Sequence, residues 1–203
     1  MWEYNDNLYH HGIKGQKWGV RRYQNEDGSL TNAGKKRYGY DDMEALTKTR
    51  TGFGATLKAD KAAYKRAQMV SKYDDKGNKL NAYARGSKMY DIRSDVYKEA
   101  AKKMEEQGRL KTAINMEATA KNNQALAKAS KSIASGKTAV KRFGKALFKS
   151  GPTHAYTSAG RKYLVQRESL LNEMTFGLYS VAADAAYKRK YTAEERLSNL
   201  RNN

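Results

Sequence analysis

Apolar residues recur at helical spacing along most of this 203-residue chain, and glycine or proline interrupts each run. The runs predict helices from about residue 42 to a break at 74–78, and then over 81–107, 109–135, 137–149 and 159–190. Gly108 and Gly136 separate successive runs, and Pro152, the only proline, marks the best candidate boundary. The pattern predicts a mainly α fold with four to five helices, some of them long.

Residues 1–40 depart from this pattern because they are irregular and rich in glycine. Within them, residues 19–31 predict a β-hairpin, since Asn25-Glu26-Asp27-Gly28 supplies a turn in which the glycine adopts a positive φ without steric cost. Thr31 follows as a predicted N-cap of a short helix over 32–38, because its side-chain oxygen can accept a hydrogen bond from an orphan amide. We therefore expect a small N-terminal β-hairpin module ahead of the helices.

These patterns divide the chain into three regions. Residues 1–40 are predicted to be a glycine-rich, aromatic and basic docking module, residues 41–151 a basic helical region, and residues 152–203 a C-terminal long helix. One helix over 159–190 would span about 48 Å. Only 39% of the residues are hydrophobic, so a large dry core is not expected. We expect an elongated protein that is oligomeric in an assembly and gains part of its stability there.

The charge of the chain restricts its partners. It contains 40 Lys and Arg against 21 Asp and Glu, a net charge of +19. Such a charge attracts polyanions, which include nucleic acid, an anionic membrane and an acidic protein surface. The alternative interpretation is that the charge only keeps the protein soluble.

The residue types that enzymes and metal sites use are sparse. The chain has no cysteine, and His10, His11 and His154 are its only histidines, with no metal-binding spacing and no carboxylate cluster beside them. Residues 12–17 resemble a phosphate loop at first sight. They lack the Ser or Thr of that motif after the lysine and have no apolar strand before them. We expect no enzymatic activity, no metal site and no cofactor.

Aromatic residues alternate with cations in two parts of the N-terminal region, which favours nucleic-acid binding because cations neutralise phosphates and aromatic rings stack on bases. The predicted contacts to nucleic acid are Lys14, Lys17, Lys35, Lys36, Arg37 and Tyr38. No base-reading motif is present, so the binding should be non-specific. The alternative is that Trp18, Tyr23 and Tyr38 form a tiny core for this module.

A membrane contact is predicted only weakly. Residues 137–149 combine an apolar stripe with five cations, a pattern seen in helices that lie on membranes. The competing interpretation, which we favour, is an ordinary helix that packs on a neighbour and exposes a basic face. No stretch reaches the roughly 18 apolar residues of a membrane-spanning helix.

The block of residues 11–38 resembles a short module that recurs in structural and head-associated proteins of tailed bacteriophages. The resemblance rests on Trp18-Gly19-Val20-Arg21-Arg22-Tyr23, on the hairpin residues that follow, and on Ala33-Gly34-Lys35-Lys36-Arg37-Tyr38. It implies a protein of the virion, present in the host cytoplasm before assembly, with other phage structural proteins as partners. If the module docks on such a partner, its expected contacts are Trp18, Arg21, Arg22 and Tyr23, because aromatic residues and arginine dominate interface hot spots.

Two functions follow as hypotheses. The leading one is a non-enzymatic virion-associated protein, head-internal or structural, that docks on phage proteins or binds double-stranded DNA non-specifically through its basic surface. The alternative is a phage-encoded effector directed at the host, such as an inhibitor of a nucleic-acid-dependent bacterial defence system.

Overall fold

A computed structural model describes residues 23–136, except 26, 28 and 75, and residues 154–202. Eight helices contain 72% of these residues, so this part of the chain is mainly α, as predicted. The helices are α1 (Asn32–Tyr38), α2 (Tyr40–Thr47), α3 (Gly52–Gln68), α4 (Ala82–Glu106), α5 (Leu110–Ala134), α6 (Val165–Met174), α7 (Leu178–Lys190) and α8 (Ala193–Asn202). The one named strand pair in the described ranges joins β1 (His154–Tyr156) to β2 (Lys162–Leu164).

Local capping chemistry sets where the first helices begin. Thr31, Thr51 and Asn81 each accept a hydrogen bond on the side-chain oxygen from the amide three residues later, at 3.1, 3.0 and 2.7 Å. These bonds satisfy amides that have no partner inside the helix. The prediction of Thr31 as the N-cap of a helix over 32–38 is confirmed. The helices predicted over 81–107 and 109–135 are confirmed to within one residue at each end.

Helices α4 and α5 are antiparallel and form the centre of the core. Gly108 has a φ of 69° in the short connection between them. Ser87 and Ser94 of α4 donate their hydroxyls to the carbonyls of Ala127 and Ala120 of α5, both at 3.0 Å. Alanines occupy much of this interface, so the two helix backbones can lie close enough for these bonds to form.

The remaining core residues come from the helices that flank this pair. Met43 and Leu46 of α2, the buried alanines of α3, and Leu197 and Leu200 of α8 pack around it. Gly39, between α1 and α2, allows the backbone to pack closely on α3, because a Cβ added there would lie 2.8 Å from the Cα of Ala62. With a φ of 74°, this position favours glycine on conformational grounds as well.

The prediction of one long C-terminal helix over 159–190, within the region 152–203, is wrong. Strands β1 and β2 pair antiparallel with His154 opposite Leu164, and three separate helices follow them. Gly160 and Gly177 have φ values of 86° and 82°; Gly160 lies in the turn between β1 and β2, and Gly177 lies between α6 and α7. A capping box then begins α8, in which Thr192 and Glu195 exchange side-chain-to-amide bonds of 2.8 and 3.2 Å.

The apolar stripe behind that prediction is not a core face. Met174, Leu178 and Val181 are 72%, 69% and 67% exposed, and α7 contains no buried residue. Helical spacing of apolar residues was therefore a poor guide here, because turn residues interrupt the stripe and no described element covers it.

Other predictions lie partly or wholly outside the described residues. The helix predicted over 137–149 lies outside them, as do residues 19–22 of the predicted N-terminal hairpin. In the described part of that hairpin, Gln24 and Leu30 form an antiparallel bridge, and the amide of Asn25 donates to the carbonyl of Ser29 at 2.7 Å.

Candidate polyanion-binding surface

The structure places five of the ten predicted contact residues on or beside the first helix. Lys35, Lys36, Arg37 and Tyr38 belong to α1, and Tyr23 precedes it. We call these five residues the N-terminal cluster. The other predicted contacts, which lie outside the described residues, are Lys14, Lys17, Trp18, Arg21 and Arg22.

Tyr23 is held against α1 by aromatic and cationic contacts. Its ring meets that of Tyr38 edge to face, with centroids 6.4 Å apart and planes at 81°. The Arg37 guanidinium lies 4.7 Å from the centroid of the Tyr23 ring, and its Nη1 donates a hydrogen bond of 3.1 Å to the Tyr23 hydroxyl. Stacking and cation–π attraction together fix the ring. The predicted docking residue Tyr23 is thus joined to two predicted nucleic-acid contacts.

Gly34 makes this packing possible. A Cβ at position 34 would lie 2.2 Å from the carbonyl oxygen of Tyr23, closer than nonbonded atoms can approach. The same oxygen accepts a hydrogen bond of 3.2 Å from the amide of Thr31. The backbone of Tyr23, which precedes α1, therefore packs directly against this helix at Gly34.

Lys35 and Lys36 point their charges into solvent. Both residues are exposed, and neither forms an ion pair with a carboxylate of the described residues. They lie in the last turn of α1, where positive charge also interacts favourably with the helix dipole. A structural role and a binding role are therefore compatible at these positions.

An ion cluster that sequence reasoning missed anchors α1 to the helical core. The Lys65 Nζ on α3 donates to the carbonyl of Lys36 at 3.1 Å and to the Asp42 carboxylate at 2.6 Å. Lys58 lies 3.5 Å from the same carboxylate. Burial raises the pKa of Asp42, but the hydrogen bond from Lys65 and the charges of both lysines outweigh it and hold the pKa below its ordinary value. No local pattern links position 42 to position 65, because only the packing of α2 on α3 brings them together.

A second ion cluster holds the C-terminal elements together. Arg161 forms two bonds to the Glu168 carboxylate, at 2.5 and 2.9 Å, and one to Asp184 at 2.9 Å. The hydrogen bonds that the Arg161 guanidinium donates to Glu168 and Asp184 raise the pKa of Arg161 despite its partial burial. Every charge of this cluster is internally paired, so it is a structural tie between β2, α6 and α7 and offers no surface for a polyanion.

The described part of the chain lacks two features that other functions would need. Over the described residues, no group of three or more His, Asp or Glu side chains could hold a metal ion. No helix in the same ranges is both long and apolar enough to cross a membrane.

Comparison with known proteins finds a family match for the N-terminal end of the chain. Residues 1–25 match the model of a family of unknown function, DUF7211. The matched residues include the predicted docking contacts Trp18, Arg21, Arg22 and Tyr23, and exclude the cations of α1. No curated protein and no solved structure matches the chain significantly.

Proposed function

We propose that this chain is a non-enzymatic bacteriophage virion-associated protein that docks on other phage proteins and binds double-stranded DNA non-specifically through its basic surface. Its phage assignment is supported by the resemblance of residues 11–38 to a module of phage structural proteins. The family match over residues 1–25 supports the interpretation that this N-terminal segment recurs in other proteins. The description of the family does not indicate phage association.

The DNA-binding part rests on one observation, the exposed and unpaired cations of the N-terminal cluster. Lys35 and Lys36 lie on a helix whose position is fixed by Lys65 and Asp42 and by the packing of Tyr23 on Tyr38. A fixed helix holds the backbone positions of its cations at constant spacing, so binding to phosphates costs little additional backbone entropy. The net charge of +19 adds long-range attraction to the same partner.

The salt dependence of DNA binding tests this proposal. Each phosphate that a cation neutralises contributes about −0.9 to the slope of log K against log salt for duplex DNA. The double variant K35Q/K36Q should therefore bind duplex DNA more weakly at low salt and show a slope that is less steep by about 2. The matched control is K128Q/K131Q, which removes the same charge from exposed positions of α5.

Equal slopes for the two double variants would show that the N-terminal cluster is not the DNA contact. A slope near zero for the unmodified protein would remove phosphate neutralisation altogether. Circular dichroism of all three proteins verifies that the substitutions leave the helices intact.

Mass spectrometry of purified particles tests the virion assignment separately. The expected result is a reproducible copy number per particle, with a reduced number for W18A because an aromatic anchor of the docking module is lost. If the protein is abundant in infected cells and undetectable in particles, the virion assignment is wrong and the host-directed effector becomes the better hypothesis.

A further inference from the structure

A cationic cleft separate from the N-terminal cluster lies where the start of α3 meets α5 and the C-terminal elements. Its volume is about 720 Å³, which is ample for a nucleotide. Residues that are far apart in sequence line it, and those that matter here are Gly52, Phe53, Lys111, Thr112, Lys188 and Arg196.

The cations of this cleft lack anionic partners. Lys111, Lys188 and Arg196 form no ion pair with any described carboxylate, and no Asp or Glu is among the residues that line the cleft. Arg196 is held in place by the carbonyls of Thr192 and Ala159, which accept from its Nε and Nη1 at 3.2 and 3.4 Å. These carbonyls orient the guanidinium without neutralising it. Converging cations of this kind match the charge of a phosphate group.

Two small residues, Gly52 and Thr112, also line the cleft. A Cβ added at Gly52 would lie 2.8 Å from the Thr112 Oγ1, so the start of α3 lies directly against α5. Thr112 lines the same cleft as the three cations, and its hydroxyl can donate to a phosphate oxygen or accept from a base.

Phe53 adds an aromatic face to the cleft. It is 81% exposed and takes no part in the core, so its ring is accessible to a ligand. A planar base can stack on such a ring while its phosphate reaches the cations, and this combination is the recognition chemistry of unpaired nucleotides.

We propose that this cleft binds a nucleotide unit, with the phosphate held by Lys111, Lys188 and Arg196 and the base stacked on Phe53. The unit is either a free nucleotide or one residue of a single strand, since both offer a phosphate and an unpaired base. A duplex does not offer its base faces, so this activity is distinct from the duplex binding assigned to the N-terminal cluster and does not depend on it.

Fluorescence anisotropy of the full chain with a labelled short thymidine oligonucleotide tests the proposal. F53L removes the ring but keeps an apolar side chain, and should weaken strand binding about tenfold. K111Q/K188Q should make the salt slope less steep by about 0.7, the value for one phosphate of a single strand, because both lysines hold the same phosphate. The control K128Q/K131Q, at the other end of α5, should change binding less. Because Phe53 is exposed, thermal melts should show F53L to be as stable as the unmodified protein.

Competition experiments distinguish a free nucleotide from a single strand, and either of them from an acidic protein surface. Displacement by thymidine triphosphate assigns a free nucleotide, and displacement only by an unlabelled strand assigns a single strand. The proposal is overturned if F53L binds the strand normally, or if an abasic strand or polyglutamate competes as well as the thymidine strand. K35Q/K36Q serves as the cross-check, since it should lose duplex binding and keep the Phe53-dependent binding of the strand.

Discussion

Gly34 is the residue on which the position of Tyr23 depends. A methyl group at this site would meet the Tyr23 carbonyl oxygen at 2.2 Å, and backbone cannot move aside as a flexible side chain can. Gly86, inside α4, differs because a Cβ added there meets nothing within 4 Å. Position 34 therefore requires glycine for steric reasons, whereas position 86 shows only the ordinary conformational cost of glycine in a helix.

G34A should release Tyr23 from α1, although alanine favours the helix by up to about 1 kcal/mol. Hydrogen exchange at the amide of Thr31 should become faster in this variant, because this amide donates to the Tyr23 carbonyl and loses its acceptor if Tyr23 moves away. G86A should instead stabilise the protein by about 0.5–1 kcal/mol in urea unfolding. Unchanged exchange in G34A would contradict the steric argument.

At the scale of elements, Asp42 joins three helices. It belongs to α2, bonds Lys58 and Lys65 of α3, and through Lys65 is linked to the end of α1. The carboxylate is 8% exposed, whereas the lysine side chains are 36% and 35% exposed. If the carboxylate is removed, both ammonium groups can turn to water. The free energy lost is therefore that of the hydrogen bonds, without the added cost of leaving an unpaired charge buried.

D42N should lower the free energy of unfolding by about 1.5–3 kcal/mol at pH 7, the range for hydrogen bonds to charged groups. The pKa of Asp42 is lower in the folded chain than its ordinary value of 3.8, so its contribution is complete above that value. The contribution is lost as the pH falls through the lower, folded pKa. Urea unfolding should therefore show a gap between the two proteins at pH 7 that closes in strong acid. D41N, at an exposed neighbouring carboxylate, should stay within about 0.5 kcal/mol of the unmodified protein.

At the scale of the whole molecule, like charges repel within a compact fold. The net charge is +19, and the ion pairs of the described residues involve only part of the 40 Lys and Arg side chains. Repulsion among the remaining cations opposes folding, and the same charges attract a polyanion. Binding of a polyanion would therefore relieve repulsion that the free protein has to tolerate.

Raising salt from low to physiological ionic strength should increase the melting temperature, because the Debye length shortens to about 8 Å and repulsion is screened. An increase of roughly 2–4 °C corresponds to about 1 kcal/mol for a chain of this size. Thermal melts followed by circular dichroism measure it, with a neutral osmolyte at equal osmolality as the control. A fall in melting temperature would mean that the ion pairs of Asp42 and Arg161 outweigh the repulsion.

What the sequence determined was mostly local. Thr31 and Asn81 indicated where helices begin, and Gly108 indicated where α4 ends, because a cap or a positive φ depends on a few adjacent residues. The same reasoning failed over 159–190, since the spacing of apolar residues does not show whether any other element covers them.

Only the tertiary structure decided which distant residues meet. Asp42 and Lys65 are brought together by the packing of α2 on α3, and Phe53, Lys111 and Arg196 by the meeting of α3, α5 and α8. The sequence predicted ten cations and aromatic residues as contacts to partners, all of them in the N-terminal region, and the structure describes five of them. It could not predict the cleft, because side-chain convergence depends on how helices cross, and that is set by the volumes of all the residues in the core.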